Sequence, residues 1–316
     1  MSTDLLGDLL GDLLGSLDKE LSRAAALRER LHASPELSHQ ERNTAAIVAD
    51  FLEGENVTPV AGTGLLARVG PSGERGVVVR AELDALPVQE ATGAPFAAAN
   101  GLMHACGHDV HMSFVDAEER PATYDPDRPA GLSLAAARFA AGILEHLPAL
   151  CAFTAPSVIS YLRLGPHHWS AGFGTLAERD REAAIRIPPI VELANGDPAR
   201  QFNLEFRAAD AAACPHLMLA VLVLAGLRGL LEELPEPTLV RGDPSELDEE
   251  ERNRLGVRPL PNSLEEALEA LESDAVVRSW FSSDLWDCYL SVKRTEISLL
   301  EGAKPREACE RYLRVY

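Results

Sequence analysis

The stretch Met103-His104-Ala105-Cys106-Gly107-His108-Asp109-Val110-His111-Met112-Ser113-Phe114 is the most informative part of the chain, because two sequence patterns overlap in it. Cys106 and His108 stand two residues apart on a segment that we expect to be extended. A thiolate and an imidazole at that spacing can reach one metal ion. From His111 onward the residues follow a second pattern, which begins inside the same strand. The stretch therefore predicts that two structural units join near residue 111.

The composition limits the kind of protein and partner. The chain has 316 residues, 46% of them hydrophobic, and this length predicts about two domains of roughly 150 residues each. Its 49 acidic and 29 basic residues give a net charge of −20, which would repel nucleic acids and anionic membranes. The five cysteines have no paired spacing, and we find no run of about 18 apolar residues. We therefore expect a cytoplasmic protein with free thiols that binds neither nucleic acid nor a membrane.

Periodicity predicts helices and then strands in the first third of the chain. Leu5, Leu9 and Leu13 share one face of a leader helix over residues 1–19, which either packs as a leader or serves oligomerisation. Short β-rich runs separated by Gly and Pro follow two further helices, as in a small α/β unit. The predicted elements are helices over 17–32 and 40–53 and strands over 57–60, 65–69 and 77–83.

Two features of the last third have structural interpretations. Residues 217–231 are apolar on nearly every side, which predicts a buried helix that Pro235 ends. The acidic run over residues 246–251 predicts the solvated start of another helix, where negative charge is favourable. Neither feature points to a cofactor.

The first half of the chain contains four motifs in order. They are Leu31-His32-Ala33-Ser34-Pro35-Glu36-Leu37, Gly62-Thr63-Gly64-Leu65, Arg80-Ala81-Glu82-Leu83-Asp84-Ala85-Leu86-Pro87 and Gly101-Leu102-Met103-His104-Ala105-Cys106-Gly107-His108-Asp109. Residues 20–111 thereby resemble metal-dependent amidohydrolases of the hippurate hydrolase and indoleacetyl-amino-acid hydrolase type. The resemblance implies that Cys106 and His108 are ligands of Zn, Mn or Co. Such a hydrolase also needs a carboxylate base, which has no counterpart after Met112.

The second half resembles the catalytic domain of glutamine synthetase over residues 111–316. The motifs that carry this resemblance include His111-Met112-Ser113-Phe114, Ser160-Tyr161-Leu162-Arg163-Leu164, Arg181-Glu182-Ala183-Ala184-Ile185-Arg186, Leu204-Glu205-Phe206-Arg207-Ala208-Ala209-Asp210 and Leu260-Pro261-Asn262-Ser263-Leu264. The chemistry of that family is ATP-dependent phosphorylation of the γ-carboxylate of glutamate, followed by displacement of phosphate by ammonia or an amine.

The resemblance to glutamine synthetase also implies roles for individual residues. Arginines suit such a reaction because they hold carboxylate and phosphate oxygens in bidentate fashion. Arg163 and Arg181 are the implied catalytic residues, with Arg163 at the substrate glutamate and Arg181 at phosphate. His111, Arg186 and Arg207 are implied to bind the nucleotide. Glu205 and Asp109 are implied metal ligands, for Mg or Mn. Asp109 replaces the first histidine of the family's His-x-His strand, so a carboxylate stands in place of an imidazole.

One departure from the family concerns the acceptor of the glutamyl group. His167-His168-Trp169-Ser170 stands where the ammonia-using enzymes carry a loop glutamate that helps to deprotonate ammonium. The loop looks more like that of γ-glutamyl ligases that use amines. The resemblance therefore implies glutamate and an amine as substrates more than glutamate and ammonia.

Together these features predict an α+β protein in which a truncated glutamine-synthetase-type catalytic domain follows a small α/β amidohydrolase-like fragment. The predicted boundaries are residues 1–19, 20–111 and 112–316. The expected function is formation of a γ-glutamyl amide with ATP and Mg or Mn. The alternatives are a non-catalytic fusion pseudoenzyme or regulatory subunit, and a metal-dependent amidohydrolase. We expect a homo-oligomer, or a mixed oligomer with full-length relatives.

Overall fold

A computed structural model describes most of the chain. The described residues are 23–52, 56–68, 75–80 (backbone only), 83–90, 93–104, 110–116, 120–168, 170–190, 197–210 and 212–312. The chain divides into two compact units. Unit 1 comprises Met1–Ser72, Ala81–Gly107 and Glu310–Tyr316, and unit 2 comprises Gly73–Arg80 and His108–Cys309. The predicted leader helix over residues 1–19 lies outside the described residues.

Unit 1 contains two helices followed by a β-hairpin. Its elements are α1 (residues 23–33), α2 (Arg42–Phe51), β1 (Asn56–Val60) and β2 (Gly64–Arg68). The two strands pair antiparallel, with Asn56 opposite Arg68 and Val60 opposite Gly64. The described part of the first predicted helix is helical, and the second helix and the first two strands lie within two residues of their predicted bounds.

Unit 2 is built on a seven-stranded mixed sheet. Its strands are β3 (Arg75–Arg80), β4 (Val110–Asp116), β5 (Phe173–Glu178), β6 (Ala183–Ile187), β7 (Leu204–Phe206), β8 (Leu239–Val240) and β9 (Arg258–Pro259). The order is β3-β4-β7-β6-β5-β8, with β9 paired to β5. β5 runs parallel to β6 and β8, and the other pairs are antiparallel.

The strand predicted over residues 77–83 does not join the N-terminal hairpin. Instead β3 pairs with β4 along its whole length, from Arg75 opposite Asp116 to Arg80 opposite His111. The sequence pattern identified the strand but not its partner, since a run of β-branched residues can complete either sheet. The sheet that carries the second sequence pattern thus includes a strand from the first.

Helices lie between and after these strands along the chain. They are α3 (Leu134–Thr154), α4 (Pro198–Gln201), α5 (Pro215–Leu231), α6 (Glu249–Leu255), α7 (Leu264–Ser273), α8 (Ala275–Ser279) and α9 (Ser283–Leu300), followed by α10 (Pro305–Tyr312). Phe114 of β4 meets Phe139 of α3 edge to face, with ring centroids 4.8 Å apart. The acidic start of α6 is as predicted: Asp248 caps the helix, and three glutamates fill its first turn.

Helices α3 and α5 pack unusually close together. A Cβ added at Gly142 of α3 would lie 2.0 Å from the carbonyl oxygen of Ala225, and one added at Gly229 of α5 would lie 2.1 Å from that of Arg138. Such distances allow only glycine without a shift of the backbone. The buried residues of α5 confirm the predicted helix on its inner side, and the helix ends at Leu231, the last residue of the predicted stretch, which is 58% exposed.

Among the described residues, helix α3 has the length and composition of a membrane-spanning helix, although Arg138 and Glu145 interrupt its apolar residues. Helix α3 has 21 residues, and its most apolar window has a mean hydropathy of 1.3. The window is 67% buried inside the protein, so α3 is the central helix of unit 2.

Candidate active site on the polar face of the sheet

Three predicted site residues lie in one row across the sheet. In the strand register His111 of β4 is opposite Glu205 of β7, and Glu205 is opposite Arg186 of β6. Residues opposite one another in a sheet point to the same side, and neighbours along a strand point to opposite sides. Val110 and Met112 on either side of His111 belong to the buried core. His111, Glu205 and Arg186 therefore share the face away from α3, which we call the polar face.

Glu205 is the centre of the polar face. Its side chain is 1% exposed and its carboxylate binds two guanidinium groups: Arg186 donates to Oε2, from Nε at 2.8 Å and from Nη2, and Arg207 donates to Oε1 from Nη1. Burial acts to raise the pKa of Glu205, but the hydrogen bonds and charges of the two arginines outweigh it and hold that pKa below its usual value. The carboxylate is thus ionised and locally neutralised.

Arg207 connects the polar face to the start of β6 through hydrogen bonds. Its side chain is buried, with the residue 5% exposed, and its Nε donates to the carbonyl oxygen of Arg181 at 3.2 Å. Its backbone amide donates to the carbonyl of Ala184 at 2.8 Å. Arg181 itself is exposed at the entrance to β6. The structure thus joins the side chains of Arg186 and Arg207 to Glu205, and it joins Arg207 to Arg181 through the Arg181 backbone carbonyl.

Arg163 lies in the turn that follows a short 3-10 helix over Val158–Leu162. Its guanidinium donates to the hydroxyl of Ser170 and to the carbonyl of Ala209, which stands two residues beyond Arg207. These contacts link the 163–170 loop to the end of the segment that carries Glu205 and Arg207. Arg163, the implied glutamate-binding arginine, is therefore hydrogen-bonded to the chain segment that follows Arg207.

Sequence reasoning missed a second polar group beside the site. The Glu182 carboxylate accepts the backbone amide of His167 at 3.1 Å to each of its oxygens. Burial raises the pKa of Glu182, and the hydrogen bond from His167 lowers it by less. The His167 ring lies 3.2 Å from the Ser245 hydroxyl and 3.8 Å from the Asp243 carboxylate. The signal in the sequence was the charge itself, a glutamate directly after Arg181.

Asn203 was also missed. Its Oδ1 lies 2.9 Å from Nδ1 of His111, and its Nδ2 donates to the carbonyl of Gln201 at 2.9 Å. This contact orients the imidazole on the polar face. An asparagine between a short helix and a three-residue strand gives no sign of that role in the sequence.

Comparison with known proteins identifies the family. The model of the glutamine synthetase catalytic domain matches residues 92–312. The γ-glutamylpolyamine synthetase GlnA3 of Streptomyces coelicolor is 41% identical over 172 residues, which are 54% of this chain and 36% of the relative. Glutamine synthetase of Methanocaldococcus jannaschii is 34% identical over 203 residues, 64% of this chain and 42% of the relative. The chain belongs to the glutamine synthetase family.

Solved structures agree. A novel glutamine synthase homolog superposes with a TM-score of 0.56 at 41% identity, covering 66% of this chain and 45% of that one. A structure of GmaS with ADP superposes with a TM-score of 0.50 at 26% identity, covering 62% of this chain and 43% of that one. The chain thus spans less than half the length of these glutamine synthetase relatives.

The glutamine-synthetase part of the sequence analysis is confirmed at the level of family and fold. The comparisons give no support to an amidohydrolase-like fragment, and the family match begins at residue 92, inside the segment assigned to that fragment. The domain boundaries and the individual residue roles stay predictions. Cys106 and His108, the metal ligands implied for the amidohydrolase-like fragment, lie outside the described residues, as does Asp109.

Members of the glutamine synthetase family use ATP and a divalent metal such as Mg or Mn. Within the part of the chain that the structure describes, no three His, Cys, Asp or Glu side chains converge as a metal site. Glu205, the implied ligand among the described residues, has both oxygens bound by guanidinium groups. The described donor set therefore does not fit a metal, whereas the arginines have the charge and geometry that phosphate requires.

Proposed function

We propose that this chain is the catalytic part of an ATP-dependent ligase that joins glutamate to an amine as a γ-glutamyl amide. The observation that carries the proposal is the row of His111, Glu205 and Arg186 on one sheet face, with Arg207 and Arg163 beside it, in a member of the glutamine synthetase family. Arginines concentrated at one face suit a reaction whose substrates are a dicarboxylate and a polyphosphate.

The proposed reaction has two steps. In the first, a γ-carboxylate oxygen of glutamate attacks the γ-phosphorus of ATP, the bond to the ADP oxygen breaks, and γ-glutamyl phosphate and ADP form. In the second, the nitrogen of the amine attacks the acyl carbon, the carbon–oxygen bond to phosphate breaks, and the nitrogen loses a proton. Charge accumulates on phosphoryl oxygens in both steps, so fixed guanidinium groups stabilise both.

Each predicted arginine has a role in this scheme. Arg163 holds the substrate glutamate, and Arg181, Arg186 and Arg207 contact phosphate or nucleotide. In the present structure Arg186 and Arg207 are paired with Glu205, so an incoming phosphate shares them with that carboxylate. His111, oriented by Asn203, contacts the nucleotide. A metal held by Glu205 requires those pairs to rearrange, and no step of the scheme is assigned to it.

An amine is the proposed acceptor for three reasons. The loop that begins at His167 carries no glutamate between residues 165 and 170. One of the most similar relatives is named a γ-glutamylpolyamine synthetase, and it shares 41% identity with this chain. The net charge of −20 also favours cationic amines over anionic acceptors.

Calorimetric titration with a non-hydrolysable ATP analogue and magnesium tests the proposal, in the absence and presence of glutamate. We expect binding that glutamate strengthens. Arg186→Ala should weaken it at least tenfold, because a guanidinium–phosphate contact is charge-assisted. The matched control is Arg200→Ala, an exposed arginine of α4 that should leave the affinity unchanged. A folded wild-type chain that gives no heat with the analogue would contradict the proposal.

The neutralised Glu205 favours one other function, that of a non-catalytic subunit which assembles with full-length relatives. A carboxylate held by two arginines stabilises the fold whether or not substrate binds. Native mass spectrometry of this chain mixed with a full-length relative distinguishes the two functions. Mixed oligomers without nucleotide binding would support the subunit, and nucleotide binding by the isolated chain would support the ligase.

A further inference from the structure

The loop that joins Arg163 to β5 is tied to the protein at two points. At its far end Ser170 binds the guanidinium of Arg163. In its middle the amide of His167 donates to both oxygens of Glu182 at 3.1 Å. His167 has a φ of 64°, a left-handed conformation that a non-glycine residue adopts at a cost. The bond to Glu182 therefore holds a conformation that the loop would not favour by itself.

The ring of His167 adds a third tie. Its Nε2 lies 3.2 Å from the Ser245 hydroxyl, and its Nδ1 lies 3.8 Å from an oxygen of Asp243. Asp243 caps the short 3-10 helix over Pro244–Glu246, where its Oδ1 accepts the amide of Ser245 at 2.8 Å. His167 is thus a junction between its own loop, the start of β6 and the turn that follows β8.

Glu182 is buried beside the base of the His167 loop. It is 9% exposed, and its own carbonyl accepts the amides of Gly172 at 2.9 Å and Phe173 at 3.0 Å. A Cβ at residue 172 would lie 3.2 Å from Oε2 of Glu182 and 2.9 Å from the nitrogen of Pro166. Glycine at 172 therefore lets the loop base and the carboxylate approach each other. A carboxylate so enclosed carries a desolvation cost, which its hydrogen bonds offset only in part.

We propose that Glu182 is a positioning residue that fixes the His167 loop as the wall of the amine end of the active site. This inference rests on the proposed function. In that function Arg163 holds the glutamate whose acyl carbon the amine attacks, so the amine must approach within bonding distance beside Arg163. The loop that contacts Arg163 through Ser170 borders that approach. Glu182 does not touch the amine; it sets where the loop lies.

The test uses Glu182→Ala, which removes both acceptor oxygens, and Glu182→Gln, which keeps one carbonyl oxygen and the side-chain volume. The matched control is Asp248→Asn, because the Asp248 carboxylate also accepts a backbone amide, that of Glu251 at 2.8 Å, but caps α6. Hydrogen exchange of the 165–170 segment, followed by mass spectrometry, reports the loop. Calorimetry with 1,4-diaminobutane, in the presence of glutamate and the ATP analogue, reports the amine end.

In Glu182→Ala we expect exchange of the 165–170 segment to accelerate about tenfold and amine affinity to fall about tenfold, since one buried hydrogen-bond group is lost. Affinity for the ATP analogue should stay within about twofold. Glu182→Gln should recover part of both losses, and Asp248→Asn should change neither. The recovery keeps the test decisive if the alanine variant is unstable.

Other results would overturn the inference. Unchanged exchange in Glu182→Ala would show that Glu182 does not hold the loop. Faster exchange with unchanged amine affinity would show that the loop does not border the amine. If the wild-type chain binds no ATP analogue, the proposed function fails and the amine role fails with it. The exchange data then separate that failure from a loop that Glu182 does not anchor.

Discussion

The two faces of the central strand β7 are both buried, yet they are covered by opposite chemistry. Leu204 and Phe206 are 0% exposed and lie on the same face as Phe114, toward α3. Glu205 between them is 1% exposed and is covered by the guanidinium groups of Arg186 and Arg207. The apolar face is stabilised by removal of apolar surface from water. The other face is stabilised by ion pairs between buried charged side chains.

This difference shows how a deep site can exist inside a small sheet. Apolar side chains pack with any neighbour of the right shape, so the apolar face tolerates conservative exchange. A buried carboxylate tolerates only partners that neutralise it and satisfy its oxygens. The polar face therefore depends on the identities of Arg186, Glu205 and Arg207. The apolar face depends mainly on the volume of the side chains that fill it.

The largest expected effect comes from breaking the polar face. Glu205→Gln removes the negative charge and leaves two guanidinium groups close together and buried. We expect the free energy of unfolding to fall by about 3–5 kcal/mol at pH 7, the range for a broken buried ion pair. Urea unfolding followed by circular dichroism measures this loss.

Phe206 provides the control, because it follows Glu205 on β7 and points to the opposite face of the sheet. Phe206→Leu keeps an apolar side chain and should cost less than about 1.5 kcal/mol if its neighbours repack. Equal losses in Glu205→Gln and Phe206→Leu would contradict the distinction between the two faces, because the charge would then add nothing to the effect of packing.

The packing of α3 against α5 can be disrupted where the two helices approach most closely at Gly142. Gly142→Ala places a methyl group 2.0 Å from the Ala225 carbonyl oxygen, which is too close for both atoms to keep their positions. The helices must separate, and we expect a loss of about 1–3 kcal/mol, typical of overpacking. Differential scanning calorimetry of this variant beside Glu145→Ala, an exposed site on the same helix, measures it. A Gly142→Ala protein as stable as that control would show that α3 and α5 separate freely.

The sequence predicted the two faces to different extents. The resemblance to glutamine synthetase assigned Arg163, Arg186, Glu205 and Arg207 to one site, and the structure places Arg186 and Arg207 against Glu205. The pattern could not show that Glu205 is bound by two arginines, because that depends on which side chains meet across strands. Pairing of β3 with β4 was missed for the same reason.

The part of the site that the sequence did not predict consists of contacts between side chains and backbone. Glu182 holds an amide fifteen residues away, and Asn203 orients an imidazole 92 residues away. Such contacts leave no periodicity, and a single polar residue in a loop is most often solvated. The close packing of α3 and α5 was likewise hidden, because a glycine within a helix signals close approach only when its neighbour is known.

A smaller effect sharpens the description of the polar face. Asn203→Ala removes the acceptor 2.9 Å from Nδ1 of His111. We expect a loss of about 0.5–1.5 kcal/mol in the free energy of unfolding, the usual contribution of one hydrogen bond. The imidazole resonances of His111 in nuclear magnetic resonance spectra should shift with it. Asn253→Ala in α6 serves as the control. An unchanged His111 signal would show that Asn203 does not orient the ring.

The last comparison sets the two buried glutamates against each other through pH. Arginine contacts lower the pKa of Glu205, so its contribution to stability is present above the pKa of the unfolded chain and is lost as pH falls through the folded value. Burial raises the pKa of Glu182, so its contribution is present below the unfolded pKa and is lost as pH rises through the folded value. From about pH 4 to pH 8, the stability of the wild type relative to Glu205→Gln should therefore increase, whereas its stability relative to Glu182→Gln should decrease. Urea unfolding of the three proteins across this range measures both slopes. Slopes of the same sign would mean that guanidinium contacts and burial do not separate these two carboxylates, and the distinction between a charge-paired and an enclosed glutamate at one site would fail.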